Sequence, residues 1–449
     1  MDSDRFFVKS LTLENFRCFE KVELGPFDPH FNLLVGTNGT GKSSMLLALA
    51  NLFRPLAAPG WDAANDGRIL KPGDVRFESQ VGADGVRFQK LHTPGGVRAS
   101  FTIGEDAWIA SENFTLRQSV SPQAIWGPAR SPYSQSSRDC LSRRLDDVYP
   151  LLAFYATERP FHPNSAVETE SETSFPSNRG LAFQHWLHAG TSANALREWI
   201  KDQTLYELQR DQRERSVGPE LPADRPLRQL NLICGAIVEA VEDAVGIEYD
   251  VDRRDIVVQS NSGQRRDFSG MSDGQRALIG LVADIARRAC LLNAPYLGAQ
   301  TLLQTPGLVL IDELDLHLHP RWQRRVIGDL KRIFPNIQFF ATTHSPQVIG
   351  EARPEEIVML TPTGEQRRPP QSFGMNSDWV LECVMEADGR DPKVAKEIAR
   401  LYDEIEDGKF EEARARIAKL REEIGGFGDV EAAESYMWRV EHEGDEAAE

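Results

Sequence analysis

Gly36-Thr37-Asn38-Gly39-Thr40-Gly41-Lys42-Ser43-Ser44 is the stretch around which the rest of the chain is organised. Its spacing fits Gly-x-x-x-x-Gly-Lys-Ser/Thr, the pattern of a phosphate-binding loop. The apolar run Phe31-Asn32-Leu33-Leu34-Val35 before it reads as a buried strand, and Met45 to Leu52 after it reads as a helix. Strand, glycine loop and helix together are the context the pattern requires. Gly36, Gly39 and Gly41 let the backbone curl, so that N–H groups from Asn38 and Thr40 through Ser44 face one anion, and the helix start adds a partial positive charge. Lys42 is spaced to reach the β- and γ-phosphates of a bound nucleotide, and Ser43 to hold Mg²⁺.

A second set of residues completes this chemistry far downstream. Leu308-Val309-Leu310-Ile311 is a continuous apolar run, as expected of a strand buried on both faces, and it ends in Asp312 and Glu313. Asp312 is the expected Mg²⁺ ligand, directly or through water. Glu313 is the expected general base or positioner of the attacking water. Gln338 to Thr343 reads as another core strand and delivers His344, a catalytic candidate that comes one helix after the Asp312-Glu313 pair. Met271-Ser272-Asp273-Gly274-Gln275 opens a helix expected over Gln275 to Leu292, where Ser272, Gly274 and Gln275 are placed to hold a γ-phosphate. Asp315 follows the carboxylate pair. His317 and His319 are two apart, and without a third ligand in view they read as structural or interface histidines.

Bulk properties fit a soluble multi-domain protein. The chain has 449 residues, 41% hydrophobic and 27% charged, long enough for two to four domains at roughly 100–200 residues each. No run approaches the roughly 20 apolar residues of a membrane span, and the opening Met-Asp-Ser-Asp-Arg has no basic-then-apolar leader. The expectation is a cytoplasmic protein with no membrane attachment. The five cysteines are scattered, so neither a zinc site nor a disulfide framework is indicated. The net charge of −17 argues against a whole-surface nucleic-acid binder. From Glu386 onward, however, there are about twenty acidic and about ten basic side chains, so more than half the excess lies in the tail and a local basic groove elsewhere stays open.

The remaining segments set the expected organisation. Phe7 to Leu13 and Lys21 to Leu24 alternate as a strand pair around the turn Glu14 to Phe19. Residues 57–96 are rich in Gly, Pro and Asp and read as loop. Val97 to Ile103 and Asn113 to Val120 read as strands, and Leu151 to Thr157 as a buried one. Leu181 to Arg215 and Leu227 to Val245 read as helices, the first carrying Arg210, Arg213 and Arg215 as a solvated helix end or a nucleic-acid or partner contact. Pro320 to Phe334 reads as one helix. In the tail, Asp391 to Ile405, Phe410 to Ile424 and Val430 to Val440 read as short helices. There Ala413, Ile417, Leu420 and Ile424 form one apolar face, open either to a partner or to the chain's own head. The expected division is an ATPase head over 1–75 and 251–365, a β meander and helical insertion over 76–250, and a partner-docking tail over 366–449.

Taken in this order, the motifs resemble the ABC-type P-loop ATPases of the RecF/SMC-like branch. The likeness implies an α/β fold: a head with a mixed sheet, a helical insertion and a small C-terminal helical region. It implies that Arg17, in the opening turn, lies beside the nucleotide base, although an aromatic turn alone would also explain that stretch. It implies that Ser272, Gly274 and Gln275 act on the nucleotide of a second protomer, that Asp315 belongs to the loop crossing that interface, and that His344 senses hydrolysis. Two ATP molecules with Mg²⁺ would then be sandwiched in a homodimer or higher homo-oligomer. Met271 stands where leucine is usual. The glutamine that senses the metal in this class is not identifiable, Glu158 and Arg159 being the nearest candidates. No sustained heptads mark the long arms of chromosome-structuring members.

A narrower resemblance runs through Met271 to Arg276, Asp284 to Arg288, Ile311 to Gln323 and Phe334 to Phe339. These runs are similar to the PtuA family, the ATPase subunits of Septu anti-phage systems, which also occur beside some retrons. That likeness implies a separately encoded HNH nuclease partner (PtuB-like), contact with nucleic acid through the complex, and restraint of the nuclease while ATP is bound. The alternative is a RecF-like DNA-repair or DNA-end-binding ATPase without a nuclease partner; the ATP subunit of a transporter is a weaker third. About a hundred residues follow His344 and look helical, which leaves no room for a Toprim nuclease domain.

Overall fold

The structure is a computed structural model. It describes residues 6–54, 74–81, 87–92, 94–103, 106–114, 148–157, 179–183, 185–189, 193–217, 229–361, 364–387, 391–425 and 428–442. It divides into two compact units, 1–377 and 378–449.

The first unit is built on strand pairs that the alternation of its opening residues dictates. β1 (Phe6–Phe16) and β2 (Phe19–Leu24) are antiparallel, with Leu11 opposite Leu24 and Leu13 opposite Val22. β3 (Phe31–Val35) is buried at every position and leads through the glycine loop into α1 (Lys42–Phe53), which starts three residues before the helix expected from the sequence. β4 (Phe77–Val81) and β5 (Arg87–Leu91) form an antiparallel pair inside the stretch expected to be loop. Their mixed polar residues give no clean alternation to read. β6 (Gly95–Ile103) pairs with β7 (Asp106–Phe114), not with a strand starting at Asn113; residues 115–120 of that expected strand lie outside the described residues. The sheet order is β2-β1-β6-β7.

The larger sheet carries the site. β8 (Leu151–Tyr155) joins it, and then come α2 (Ala193–Val217) and α3 (Gln229–Ala240). The chain leaves α3 sooner than expected, because Ala244–Asp250 is β9, a strand paired with β10 (Asp255–Ser260), which pairs with β11 (Arg265–Asp267). α4 (Asp273–Leu297) and α5 (Thr301–Gln304) lead to β12 (Gly307–Ile311). The single helix expected at Pro320 is two, α6 (Pro320–Gln323) and α7 (Val326–Ile333), followed by β13 (Ile337–Thr342), α8 (Pro346–Ile349), β14 (Ile357–Leu360) and β15 (Gln366–Arg367).

The order across this sheet is β15-β14-β3-β13-β12-β8, parallel throughout except for β15. β3, β8, β12 and β13 are buried along their whole length, which is why they read as largely apolar runs, broken only by the buried Asn32 of β3 and the buried Gln338 and Thr342 of β13. Phe31 stacks on Phe339 within this core, and Phe53 of α1 packs edge to face on Phe6 and Phe101 of the smaller sheet. Gln338, fully buried on β13, donates to the Val8 carbonyl and accepts from its N–H, tying the small sheet to the large one. In a parallel sheet, ligand chemistry gathers beyond the carboxyl ends of the strands. Here those ends deliver the glycine loop from β3, Thr157 from β8, Asp312 from β12 and His344 from β13.

α9 (Ser377–Cys383) begins at the last residue of the first unit, and the second unit also holds α10 (Pro392–Glu406), α11 (Phe410–Ile424) and α12 (Asp429–His442). The last three share a core of Ile398, Leu401, Ile405, Ile417, Leu420 and Met437. This corrects the open docking face: Ala413, Ile417 and Leu420 are at most 4% exposed and face the neighbouring helices, leaving only Ile424 of that stripe in solvent. Arg416 of α11 joins Glu397 and Glu404 of α10 around the same core.

Candidate functional site

The glycine loop closes on itself. Lys42 Nζ donates to the Gly36 carbonyl at 2.7 Å and the Thr37 carbonyl at 3.0 Å, and Thr40 Oγ1 donates to the Thr37 carbonyl at 2.9 Å. Gly41, the N-cap of α1, has φ 97°, and a Cβ there would lie 2.3 Å from the Phe19 ring. Only glycine meets both conditions. No side chain caps α1 and its first turn has no acidic residue, so its leading N–H groups keep their affinity for an anion. Burial pushes the Lys42 ammonium below its ordinary lysine value, against the pull of Asp312 and Glu313. That is a cation set back in a cleft and poised to gain from a phosphate.

Asp312 is the hub. Its Oδ1 accepts from Ser43 Oγ at 3.1 Å and from Thr342 Oγ1 at 2.6 Å, and its Oδ2 accepts from Thr157 Oγ1 at 3.1 Å. Three hydroxyls, one from the first turn of α1 and two from the ends of β8 and β13, thus aim one carboxylate. Ser43 and Asp312 supply a hydroxyl and a carboxylate side by side, oxygen donors that suit Mg²⁺, which takes one or two protein ligands and completes its shell with water and phosphate. The residues present therefore fit the metal. Glu313 follows at φ 53°, a left-handed conformation that side chains other than glycine seldom adopt, and its N–H donates to Thr342 Oγ1 at 2.7 Å. Thr342 therefore holds the Asp312 carboxylate and the Glu313 backbone at once.

A second cluster gathers around the other motifs. Ser272 is the N-cap of α4 and makes a reciprocal capping box with Gln275. A Cβ on Gly274 would lie 2.2 Å from the His317 carbonyl oxygen, so the signature turn packs directly under the loop that follows Asp315. Asp315 accepts from Thr343 Oγ1 and from the His344 N–H, and His344 is exposed at the end of β13. His319 caps α6, its Nδ1 accepting from the Arg321 N–H at 3.3 Å. Ser272, Gly274 and Gln275 are tied to Asp315 through this turn, whereas Ser43, Lys42 and Asp312 form the separate set around the glycine loop.

Arg17 stands beside the first turn of α1. Its Nε donates to Asp74 at 2.7 Å and its Nη1 reaches Ser44 Oγ at 3.5 Å, a partner that residue type and spacing did not indicate. Glu158 and Arg159 lie outside the described residues, as do the side chains of Arg210, Arg213 and Arg215. Sequence reasoning missed Thr157, Thr342 and Asp74. Lone hydroxyls at strand ends carry no motif, and the signal that could have found Thr157 is its place two residues past a fully apolar run.

Several known proteins are similar to this chain. Residues 7–74 match the model described as "AAA ATPase domain", and residues 165–350 match "AAA domain, putative AbiEii toxin, Type IV TA system". The "Retron Ec83 probable ATPase" of Escherichia coli is 37% identical over 443 residues, covering 86% of this chain and 77% of that protein. The "Retron Vc95 probable ATPase" of Vibrio cholerae is 25% identical over 393 residues, covering 79% and 73%. The "Septu protein PtuA" of Bacillus thuringiensis is 33% identical over 144 residues, a local match covering 30% and 35%. Among solved structures, an SMC head bound to the C-winged helix domain of ScpA aligns over 81% of this chain and 96% of that one, at 16% identity and a TM-score of 0.45.

Proposed function

The chain belongs to the family of the retron probable ATPases, and from that premise we propose that it is the ATP-hydrolysing subunit of an anti-phage defence system that dimerises around ATP and controls a partner HNH nuclease. The single observation that carries the catalytic part is the placement of Ser43, Thr157 and Thr342 on one carboxylate, Asp312, directly before Glu313. Glycine-loop N–H groups and Lys42 bind the triphosphate. Mg²⁺, when bound at Ser43 and Asp312, neutralises charge on the phosphate oxygens. Glu313 orients a water and accepts its proton as the water oxygen bonds to the γ-phosphorus. The bond from that phosphorus to the β–γ bridging oxygen breaks, and ADP leaves with the electron pair. His344 stands at the neighbouring strand end to donate to a γ-phosphate oxygen.

Dimerisation rests on the signature residues. Ser272 is exposed, and Gly274 sits at the start of a long helix whose N–H groups suit a phosphate. In a sandwich, these residues of one protomer cover the ATP held by the glycine loop of the other. The nuclease partner rests on the local likeness to PtuA and on the acidic helical unit, which offers a docking body with its own core.

The test is direct. The purified chain should release phosphate from ATP in a Mg²⁺-dependent manner, and Glu313→Gln with ATP should run as a dimer or larger. Co-expression with the neighbouring reading frame should yield a complex and protection against phage that Lys42→Ala abolishes. A chain that binds DNA with steep salt dependence, protects without a nuclease partner and copurifies with none would instead support the DNA-repair reading.

A further inference from the structure

The chemistry above uses nothing from the interior of α4, yet that helix carries an ion pair buried on both sides. Asp284 and Arg288, one turn apart, are 3% and 4% exposed. Asp284 Oδ2 accepts from Arg288 Nε at 2.8 Å and from the Tyr155 hydroxyl at 2.8 Å, and Arg288 Nη1 donates to the Ala182 carbonyl at 2.6 Å. Taking such a pair out of water offsets most of its attraction, so net stability is a poor reason for its presence. Its geometric effect is definite, because it fixes where α4 sits against the end of β8.

That strand end also holds Asp312, the carboxylate proposed to ligate the metal. The Tyr155 carbonyl accepts from the Asp312 N–H at 2.8 Å, and Thr157 Oγ1 donates to Asp312 Oδ2. Tyr155 to Thr157 thus grips Asp312 at two points and α4 at a third. Asp312 belongs to the nucleotide held by this chain. The N-terminus of α4, with Ser272 and Gly274, serves the second nucleotide of the dimer.

We propose that Tyr155 is a positioning residue, whose hydroxyl, held by the buried Asp284–Arg288 pair, couples the nucleotide state at one chain's Asp312 to the placement of that chain's own Ser272–Gly274 turn. The proposal rests on the ATPase reading and deepens it: the two sites of a dimer report to each other through the interior of each protomer. A metal and γ-phosphate held at Ser43 and Asp312 would load Asp312 and the Thr157 hydroxyl on it, and Tyr155 would carry any resulting movement of the β8 end into α4.

The experiment is Tyr155→Phe in the full-length chain, with nucleotide affinity and turnover measured separately. A fluorescent ATP analogue should bind within about twofold of the parent, because nothing in the glycine loop changes. Turnover should fall by about two- to thirty-fold, the range of a 0.5–2 kcal/mol coupling between sites, and the Hill coefficient for ATP should drop from above one to one. A structural role alone would lower thermal stability or the active fraction and leave the Hill coefficient unmoved. Parental turnover and cooperativity in Tyr155→Phe overturn the proposal, as does a parent chain that hydrolyses ATP without cooperativity. If Tyr155→Phe does not fold, Thr157→Val cuts the other end of the same link and leaves the buried cluster intact. Cooperativity retained in Thr157→Val overturns it equally. A parent that binds no ATP defeats the ATPase reading itself, a different failure.

Discussion

Ser43 Oγ and Asp312 Oδ1 lie 3.1 Å apart although 269 positions separate them in the chain. The contact exists because β3 and β12 both flank β13 in one parallel sheet and end at the same edge. Asp312→Asn should therefore fold, since amide and carboxylate fill the same space and the three hydroxyls can rotate to suit. Its Mg²⁺-dependent phosphate release should fall by about 100-fold or more, the scale of losing one preorganised electrostatic group. Metal-free nucleotide binding should persist. A phosphate-release assay run beside a binding titration in chelator separates the two.

Glu313→Gln tests the neighbouring carboxylate. Glutamine keeps the shape, the left-handed backbone and the N–H bond to Thr342 Oγ1, and removes only the base. Hydrolysis should drop by about 10²- to 10⁴-fold, with ATP retained and the dimer accumulating on gel filtration. A variant turning over at the parental rate would remove Glu313 from the reaction.

Much of this site was legible in the sequence because its residues fall in motifs with fixed chemistry. The glycine loop, the apolar run ending in Asp312 and Glu313, and the capped start of α4 each announce themselves by local pattern. What stayed hidden depends on register between strands. Thr157 and Thr342 act only because β8 and β13 end level with β12, a relation no local spacing encodes. The β4–β5 pair escaped because its residues do not alternate cleanly. The stripe Ala413, Ile417 and Leu420 was readable as an apolar face, but periodicity cannot say what covers it, and its cover is α10 and α12.

Lys42 gives a pH dependence with a defined sign. Burial holds its value below that of an ordinary lysine, so in the nucleotide-free protein it sheds its proton at lower pH than an exposed lysine does. Between that lowered value and the ordinary one, the unfolded chain binds more protons, so the nucleotide-free fold gains stability as pH rises through this window. A triphosphate reverses the balance by favouring the charged form. ATP affinity should thus weaken as pH climbs through the same window, and binding there should be accompanied by proton uptake. Calorimetric titrations in two buffers of different ionisation enthalpy read that uptake directly; none at alkaline pH would contradict the assignment.

Gly274 tests the contact between the two halves of the signature cluster. An added Cβ would press on the His317 carbonyl oxygen at 2.2 Å, and a backbone atom cannot move aside as a flexible side chain can. Gly274→Ala should therefore displace the turn carrying Ser272 from the loop carrying Asp315. Nucleotide binding to the glycine loop of the same chain should survive, while ATP-driven dimerisation and hydrolysis are lost together. Sedimentation with and without ATP, in the Glu313→Gln background that otherwise traps the dimer, distinguishes this from simple loss of activity.

The C-terminal helices make the last prediction, because their core is self-contained. Leu401 and Leu420 are 0% and 1% exposed, and both pack among residues of α10, α11 and α12. Leu420→Ala removes buried methyl groups and leaves a cavity, a change that costs about 2–5 kcal/mol. For a three-helix unit this size, that is a large share of the roughly 5–15 kcal/mol typical of a whole domain. The Arg416 guanidinium, hydrogen-bonded to Glu404, holds that carboxyl below the ordinary glutamate range. The stability it contributes is present above the ordinary glutamate value and is lost as pH falls through the lowered one. Leu420→Ala should accordingly make residues 391–442 sensitive to protease and fast in hydrogen exchange, most of all in mild acid, while the head keeps its ATP hydrolysis. If the nuclease docks on this unit, the same variant should lose the partner in pull-down yet turn over ATP normally. Loss of hydrolysis along with the partner would mean that the helices also serve the nucleotide site.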